Sequence, residues 1–225
     1  MNKICITIGD INGIGIEILL NLYKKNKIKN FILFTNDKIF KNYLIKNKIN
    51  LNVNIINLKK NNIKYLNNKI NIYSYKVKDQ IDNTLQSLTN AYFYCLTNNE
   101  KGIITLPINK FLILKKKNNF TGHTEFFEKL SKRKITNMIF VYKKIIVSTL
   151  TTHIKFNNII KNISKNDYIY KKIYILNKTL IKDFRIKKPR ILISGINPHS
   201  GENGKLGNEE IKLINPQIKK LKKDN

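Results

Sequence analysis

Short apolar runs alternate with stretches of helical spacing along almost the whole chain, which restricts the fold to a mostly parallel sheet layered with helices. The opening shows the unit. Residues 3–8 read as a buried strand, residues 9–15 (GDINGIG) as a glycine turn, and residues 16–23 as a helix with an apolar face. The turn lacks GxGxxG spacing, and no Gly-Lys-Ser/Thr follows it, so it is neither a dinucleotide fingerprint nor a Walker loop. Further strands are expected at 31–35, 52–57, 70–75, 103–105, 138–142, 145–149 and 190–194. Helices are expected after Asp37 and over 84–98, with Leu85, Leu88, Ala91, Tyr92, Cys95 and Leu96 on one face. Others are expected over 125–132, capped by Thr124, over 156–182 with a break near 164–167, and over 209–214, interrupted at Asn215-Pro216. Residues 59–68 are polar and low in complexity and read as a loop, as do residues 106–110.

The strand at 190–194 feeds a shaped loop, SGINPHSGENGKLGNEE, over residues 194–210. It holds four of the chain's nine glycines, one of its four prolines and one of its three histidines. Glycine permits left-handed backbone and close approach, and proline fixes a turn angle, so this stretch is built to present groups. Those groups are His199, Glu202, Glu209 and a lysine, at a strand end where α/β proteins keep their chemistry. His123 lies in TGHTE (121–125) and His153 in LTTHI (150–154), again beside hydroxyl or glycine residues and near an apolar run. A single such histidine reads as structural; the trio points to metal ligation or acid–base work. Asp10 and Glu17 read as a turn cap and a first-turn acid, with a ligand-facing role as the alternative. Lys110, leaving a strand, reads as a solvated lysine or as an anchor for a phosphate or carboxylate.

The net charge is +29, with 43 Lys and Arg against 14 Asp and Glu. Arginine occurs only at positions 133, 185 and 190, and the lysines are spread through a chain rich in Asn, Ile and Tyr, the residues of A/T-rich codons. Nucleic-acid binding calls for a localised, arginine-containing stripe, so no nucleic-acid partner is expected. Lys115 to Lys117 and Lys219-Lys220 read as solvated loop and terminus. Cys5 and Cys95 lie in apolar contexts without CxxC spacing and read as buried free thiols of a reducing compartment. No run has the length of a signal peptide or a membrane span, so a soluble cytoplasmic protein without a membrane partner is expected.

Five blocks, in chain order, carry a resemblance. GDINGIGIE (9–17), TLPINK (105–110), TGHTEFF (121–127), TTH (151–153) and NPHSGENGKLGNEE (197–210) are similar to GDPAGIGPE, TAPINK, GHTEFL, TTHIPL and NPHAGEGGxxGxEE. These are motifs of the 4-hydroxythreonine-4-phosphate dehydrogenase family of vitamin B6 biosynthesis. The resemblance implies two α/β/α domains of the isocitrate/isopropylmalate dehydrogenase-like type, with residues 1–125 in the first and 126–225 in the second. It implies NAD(P)-dependent oxidation and decarboxylation of 4-phosphohydroxy-L-threonine to 3-amino-2-oxopropyl phosphate. NAD or NADP and a divalent metal (Zn, Mg or Co) would be the cofactors, with the active site at the interface of a homodimer. His153 and His199 match two of three metal-binding histidines, and His123 and Thr124 match a pair that binds the small phosphorylated substrate. Asp10, Glu17, Asn109, Lys110, Asn197 and Glu202 would line the site. No catalytic acid or base and no cofactor-binding residue is assigned.

Ile11 and Ile16 replace two prolines of the family's first motif. Family members continue past the point where this sequence stops. The third metal-binding histidine, a YHDQG-like motif and much of the cofactor site belong to that continuation. Both domains are therefore expected to be incomplete at the C-terminus, and the isolated chain is expected to turn over little. A relative acting on phosphorylated threonate or erythronate, and a non-catalytic remnant, are the alternatives.

Overall fold

The computed structural model describes residues 3–224 apart from 57–64, 67, 101, 118, 134 and 166. Most of the loop expected at 59–68, and the end of the strand expected at 52–57, therefore lie outside the described residues. The chain divides into two compact units, Met1–Ser131 and Lys132–Asn225.

The first unit is a five-stranded sheet of β1 (Ile4–Thr7), β2 (Phe31–Phe34), β3 (Val53–Ile56), β4 (Ile70–Tyr73) and β5 (Gly102–Thr105). The strand order is β3-β4-β2-β1-β5 and every pair is parallel. Helices cover both faces, so the strands are mainly apolar instead of alternating with polar residues; Asn54 and Asn71, in β3 and β4, are exceptions and bond to each other at 2.8 Å. On one face Ile6, Phe31, Leu33, Ile70 and Ile72 pack against Ile16, Leu19 and Leu20 of α1 (Ile14–Lys24) and Phe40 and Leu44 of α2 (Asp37–Lys46). On the other, Cys5, Ile32, Phe34 and Ile56 meet Ala91 and Tyr94 of α3 (Gln80–Thr97). Alternate strand residues point to opposite faces, which is why neighbours such as Ile32 and Leu33 enter different cores.

Three local expectations are corrected. Helix α3 starts four residues earlier than expected, because Asp79 caps it by accepting the Asp82 N–H at 2.9 Å. Its buried face is Asn83, Thr84, Ser87, Leu88, Ala91 and Tyr94, while Leu96 is 63% exposed. The apolar stripe is wide because it serves two neighbours: Leu85 packs with Ile113 and Phe120, away from the sheet. Residues 110–116 form a helix, α4 (Lys110–Lys116), with Lys115 and Lys116 in its last turn, where ammonium groups suit the negative end of the helix dipole. Helix α5 (His123–Ser131) begins at His123, since the Phe126 N–H donates to the Gly122 carbonyl at 3.0 Å. Thr124 is thus inside the first turn and does not cap it.

In the second unit β6 (Met138–Tyr142) and β7 (Ile145–Thr149) form an antiparallel hairpin joined at Lys143-Lys144. Helices α6 (Ile159–Ile163) and α7 (Tyr168–Lys182) follow, then a π-turn (Glu210–Ile214) that runs directly into α8 (Asn215–Lys223). Pro216 follows directly on the π-turn, and the helical run continues past it instead of being interrupted. The chain end is not loose: Leu221 is buried. The core joins Ile163, Ile169 and Ile214. Residues 190–194 do not form the expected strand. They pair with no ladder among the described residues, and Leu192 is 94% exposed. A strand exists only through its ladder, so apolar sequence alone does not make one. The mostly parallel reading therefore holds for the first unit, whereas the described strands of the second are antiparallel. No helix among the described residues is long and apolar enough to cross a membrane.

Candidate active site

In the first unit the loops after β1 and β5 leave the sheet side by side, since Thr7 and Thr105 are paired. This is the carboxyl end of a parallel sheet, where such folds place ligands. Gly9 lets the two loops touch. Its φ is +62°, and a Cβ there would lie 2.4 Å from the Pro107 carbonyl oxygen and 2.8 Å from that of Leu106. The Asp10 N–H donates to the Pro107 carbonyl at 2.8 Å, and the Thr84 hydroxyl donates to the Gly9 carbonyl at 2.7 Å. Asp10 spends its carboxylate on its own turn, accepting the Asn12 N–H at 3.0 Å. Glu17 is exposed in the first turn of α1. Asn109 caps α4 by accepting the Leu112 N–H at 3.2 Å.

Lys110, His123 and Glu125 gather around Gly122. A Cβ on that glycine would stand 3.7 Å from Lys110 Nζ and 3.0 Å from Glu125 Oε2. His123 Nε2 is buried and has no hydrogen-bond partner among the described residues. Burial, and then the positive charge of Lys110, hold its pKa below the ordinary histidine value. The imidazole is therefore neutral near neutral pH, with a ring nitrogen free to bond to a ligand. Behind this edge a buried network braces the loops. Asn83 donates to the Thr35 hydroxyl at 3.1 Å and accepts the Asn36 N–H at 2.8 Å, and Asn36 donates to the Tyr75 carbonyl at 2.7 Å. Sequence reasoning missed both Glu125 and Asn83; Glu125 was legible as the acid two residues after His123, Asn83 only through its burial.

In the second unit His153 follows β7 and His199 sits in the long loop; both are exposed and left-handed, with φ of 53° and 51°. His199, Ser200, Glu202 and Asn203 stand on the wall of a cavity of about 360 Å³, with Glu210 behind them. Asn197 faces the base of the loop instead, donating from its side chain to Glu209 at 2.7 Å. Glu210 accepts the N–H groups of Ile196 and Asn197 at 2.9 and 3.2 Å, and these bonds lower its pKa. Sequence reasoning missed Glu210, although the paired acids closing the loop were its signal. Imidazole nitrogens suit a divalent metal in kind. In number they fall short: among the described residues no three His, Cys, Asp or Glu side chains gather, and a catalytic metal usually takes three protein ligands.

The family model described as pyridoxal phosphate biosynthetic protein PdxA matches residues 27–225. The chain belongs to this family. It is similar to the 4-hydroxythreonine-4-phosphate dehydrogenase of Sulfurihydrogenibium sp. (strain YO3AOP1), with 32% identity over 232 residues, covering 100% of this chain and 72% of the relative. The enzyme of that name from Aquifex aeolicus (strain VF5) is 33% identical over 230 residues, covering 99% and 71%. Two crystal structures of 4-hydroxythreonine-4-phosphate dehydrogenases share the fold. The Klebsiella pneumoniae enzyme matches with a TM-score of 0.81 at 23% identity, and the Burkholderia phymatum enzyme with 0.80 at 24%. This chain is covered completely in both, and they are covered to 73% and 72%. The family is one of dehydrogenases, and the chain has its α/β dehydrogenase-like fold.

Proposed function

We propose that the chain serves the NAD(P)-dependent oxidation of 4-phosphohydroxy-L-threonine, with loss of CO₂ from the β-keto acid to leave 3-amino-2-oxopropyl phosphate. The similarity to named relatives along the whole chain supports this reading most strongly. Bound nicotinamide would supply the hydride acceptor for the carbinol carbon, and the hydroxyl proton would pass to solvent. At the carboxyl end of β1 and β5, His123 offers its unpartnered Nε2 to a substrate oxygen. Thr124, beside it in the first turn of α5, offers a hydroxyl. Lys110, close to His123 and exposed, supplies positive charge for the phosphate or carboxylate. Gly122 keeps the space among these groups clear. His153 and His199 would hold a divalent metal, which when bound supplies Lewis-acid stabilisation of an alkoxide and its ketone. In this reading the working form is a homodimer. Two imidazoles leave the metal short of protein ligands, so turnover by this chain is expected to be slow.

The test is nicotinamide reduction by the full chain with substrate and Zn²⁺, Mg²⁺ or Co²⁺, followed by near-ultraviolet absorbance. Slow, substrate-dependent and metal-dependent formation of NADH or NADPH, abolished in His199→Ala, is the expected result. Absence of any reduction, or an undiminished rate in His199→Ala, overturns the proposal.

A further inference from the structure

Five consecutive residues of the long loop are left-handed: His199 (φ 51°), Ser200 (53°), Gly201 (79°), Glu202 (44°) and Asn203 (57°). Four of them carry a Cβ, and each such residue is disfavoured in this region. A run of this kind persists only where its surroundings over-determine it. The loop's own backbone bonds do part of this, with the Leu206 N–H donating to the Gly201 carbonyl at 3.0 Å, and one carboxylate braces its base. Glu210 is 8% exposed. Its Oε1 accepts the Ile196 N–H at 2.9 Å and the Asn197 N–H at 3.2 Å, just before the run. The Asn197 carbonyl then accepts the Ser200 N–H at 3.1 Å, closing the turn that contains His199. The other carboxylate oxygen lies beneath Gly201, in the middle of the run. A Cβ on Gly201 would be 3.0 Å from Glu210 Oε2 and 2.6 Å from the Gly207 carbonyl oxygen. Glu210 itself opens the π-turn whose far end, Ile214, is in the core with Ile163 and Ile169. A rigid element therefore holds the backbone just before His199 by two hydrogen bonds and lies against it just after, at Gly201, where Oε2 has no hydrogen-bond partner among the described residues.

We infer that Glu210 is a positioning residue that aims the His199 imidazole. The role rests on the reading of His199 as a metal ligand. A carboxylate accepting two backbone N–H groups makes stronger bonds than a neutral acceptor. Groups that orient a ligating side chain from behind carry a measurable share of metal affinity. Glu209 assists by holding the Asn197 side chain.

The test is Co²⁺ titration of the full chain and of His199→Ala, Glu210→Asp and Glu210→Gln. It is read by affinity and by the visible ligand-field band, which reports ligand geometry and not stability. Aspartate is one methylene too short to hold both N–H groups and is expected to weaken Co²⁺ by about ten- to hundredfold and to shift the band. Glutamine keeps the reach and loses the charge, and is expected to weaken Co²⁺ by about threefold. Parent-like affinity and band in whichever of these variants folds, with His199→Ala weakened, overturns the positioning role alone. Parent-like affinity in His199→Ala overturns the metal reading beneath it, and absence of Co²⁺ binding by the parent overturns both.

Discussion

Gly9→Ala probes the contact that builds the substrate edge. Gly9 has φ +62°, where alanine is disfavoured by about 1–2 kcal/mol. The new methyl would meet only backbone, the Pro107 and Leu106 carbonyl oxygens at 2.4 and 2.8 Å, so no side chain can swing aside. Relief requires residues 106–107 to move off the end of β1. That movement breaks the 2.8 Å bond from Asp10 N–H to Pro107, a loss of about 1 kcal/mol. The total is about 2–3 kcal/mol. At a urea dependence of about 2 kcal/mol per molar, the unfolding midpoint of the first unit falls by about 1–1.5 M. Urea unfolding followed by circular dichroism measures it. Gly13→Ala is the control: Gly13 has an ordinary φ of −95° and nearest neighbours at 3.3 Å, and a change at this N-cap is expected to cost less than about 1 kcal/mol. A Gly9→Ala variant within about 0.5 kcal/mol of the parent would refute the reasoning.

Three further outcomes are expected. The His123 ring should titrate below the ordinary value of about 6.5 by proton NMR, and Lys110→Met should raise it; a midpoint at or above the ordinary value contradicts the site geometry. Because the folded pKa is the lower one, the neutral ring's contribution to stability is present above the unfolded value. It is lost as pH falls from there through the folded value, and His123→Gln should remove that loss. The Cys5 thiol, pushed up to about 12 chiefly by burial, should resist alkylation at mildly alkaline pH until the chain is unfolded; rapid labelling of the native protein would show that the core around β1 opens. Asn83→Ala, which strands the Asn36 N–H and takes away the amide that donates to the Thr35 hydroxyl, should cost about 2–3 kcal/mol in thermal or urea unfolding, and a change under about 0.5 kcal/mol would deny the network its bracing role.

The first unit was largely legible because its strands are buried on both faces and are punctuated by glycine turns. The runs at 31–34, 70–73 and 102–105 stand in the sheet as expected. Helix α3 was legible as a helix but not in its orientation. The sequence shows one apolar stripe and cannot show that Leu85 packs away from the sheet while polar Asn83 and Thr84 are buried to hold loops. Residues 190–194 read as a strand because apolar β-branched residues favour one, yet a ladder needs a neighbour that local sequence does not encode. Lys110 near His123 was not legible from spacing, since thirteen residues separate them and only the Gly122 turn closes the distance. Glu210 stood in the acid pair that closes the loop, but the pair does not tell that one of its members works on backbone N–H groups.

The central claim is that the carboxyl end of β1 and β5 receives a phosphorylated hydroxy-amino acid. Calorimetric titration of the full chain with 4-phosphohydroxy-L-threonine, repeated with His123→Ala and Lys110→Met, tests it most directly. Saturable binding that both substitutions weaken is the expected result. Absence of binding to the parent, or binding that neither substitution alters, would contradict it.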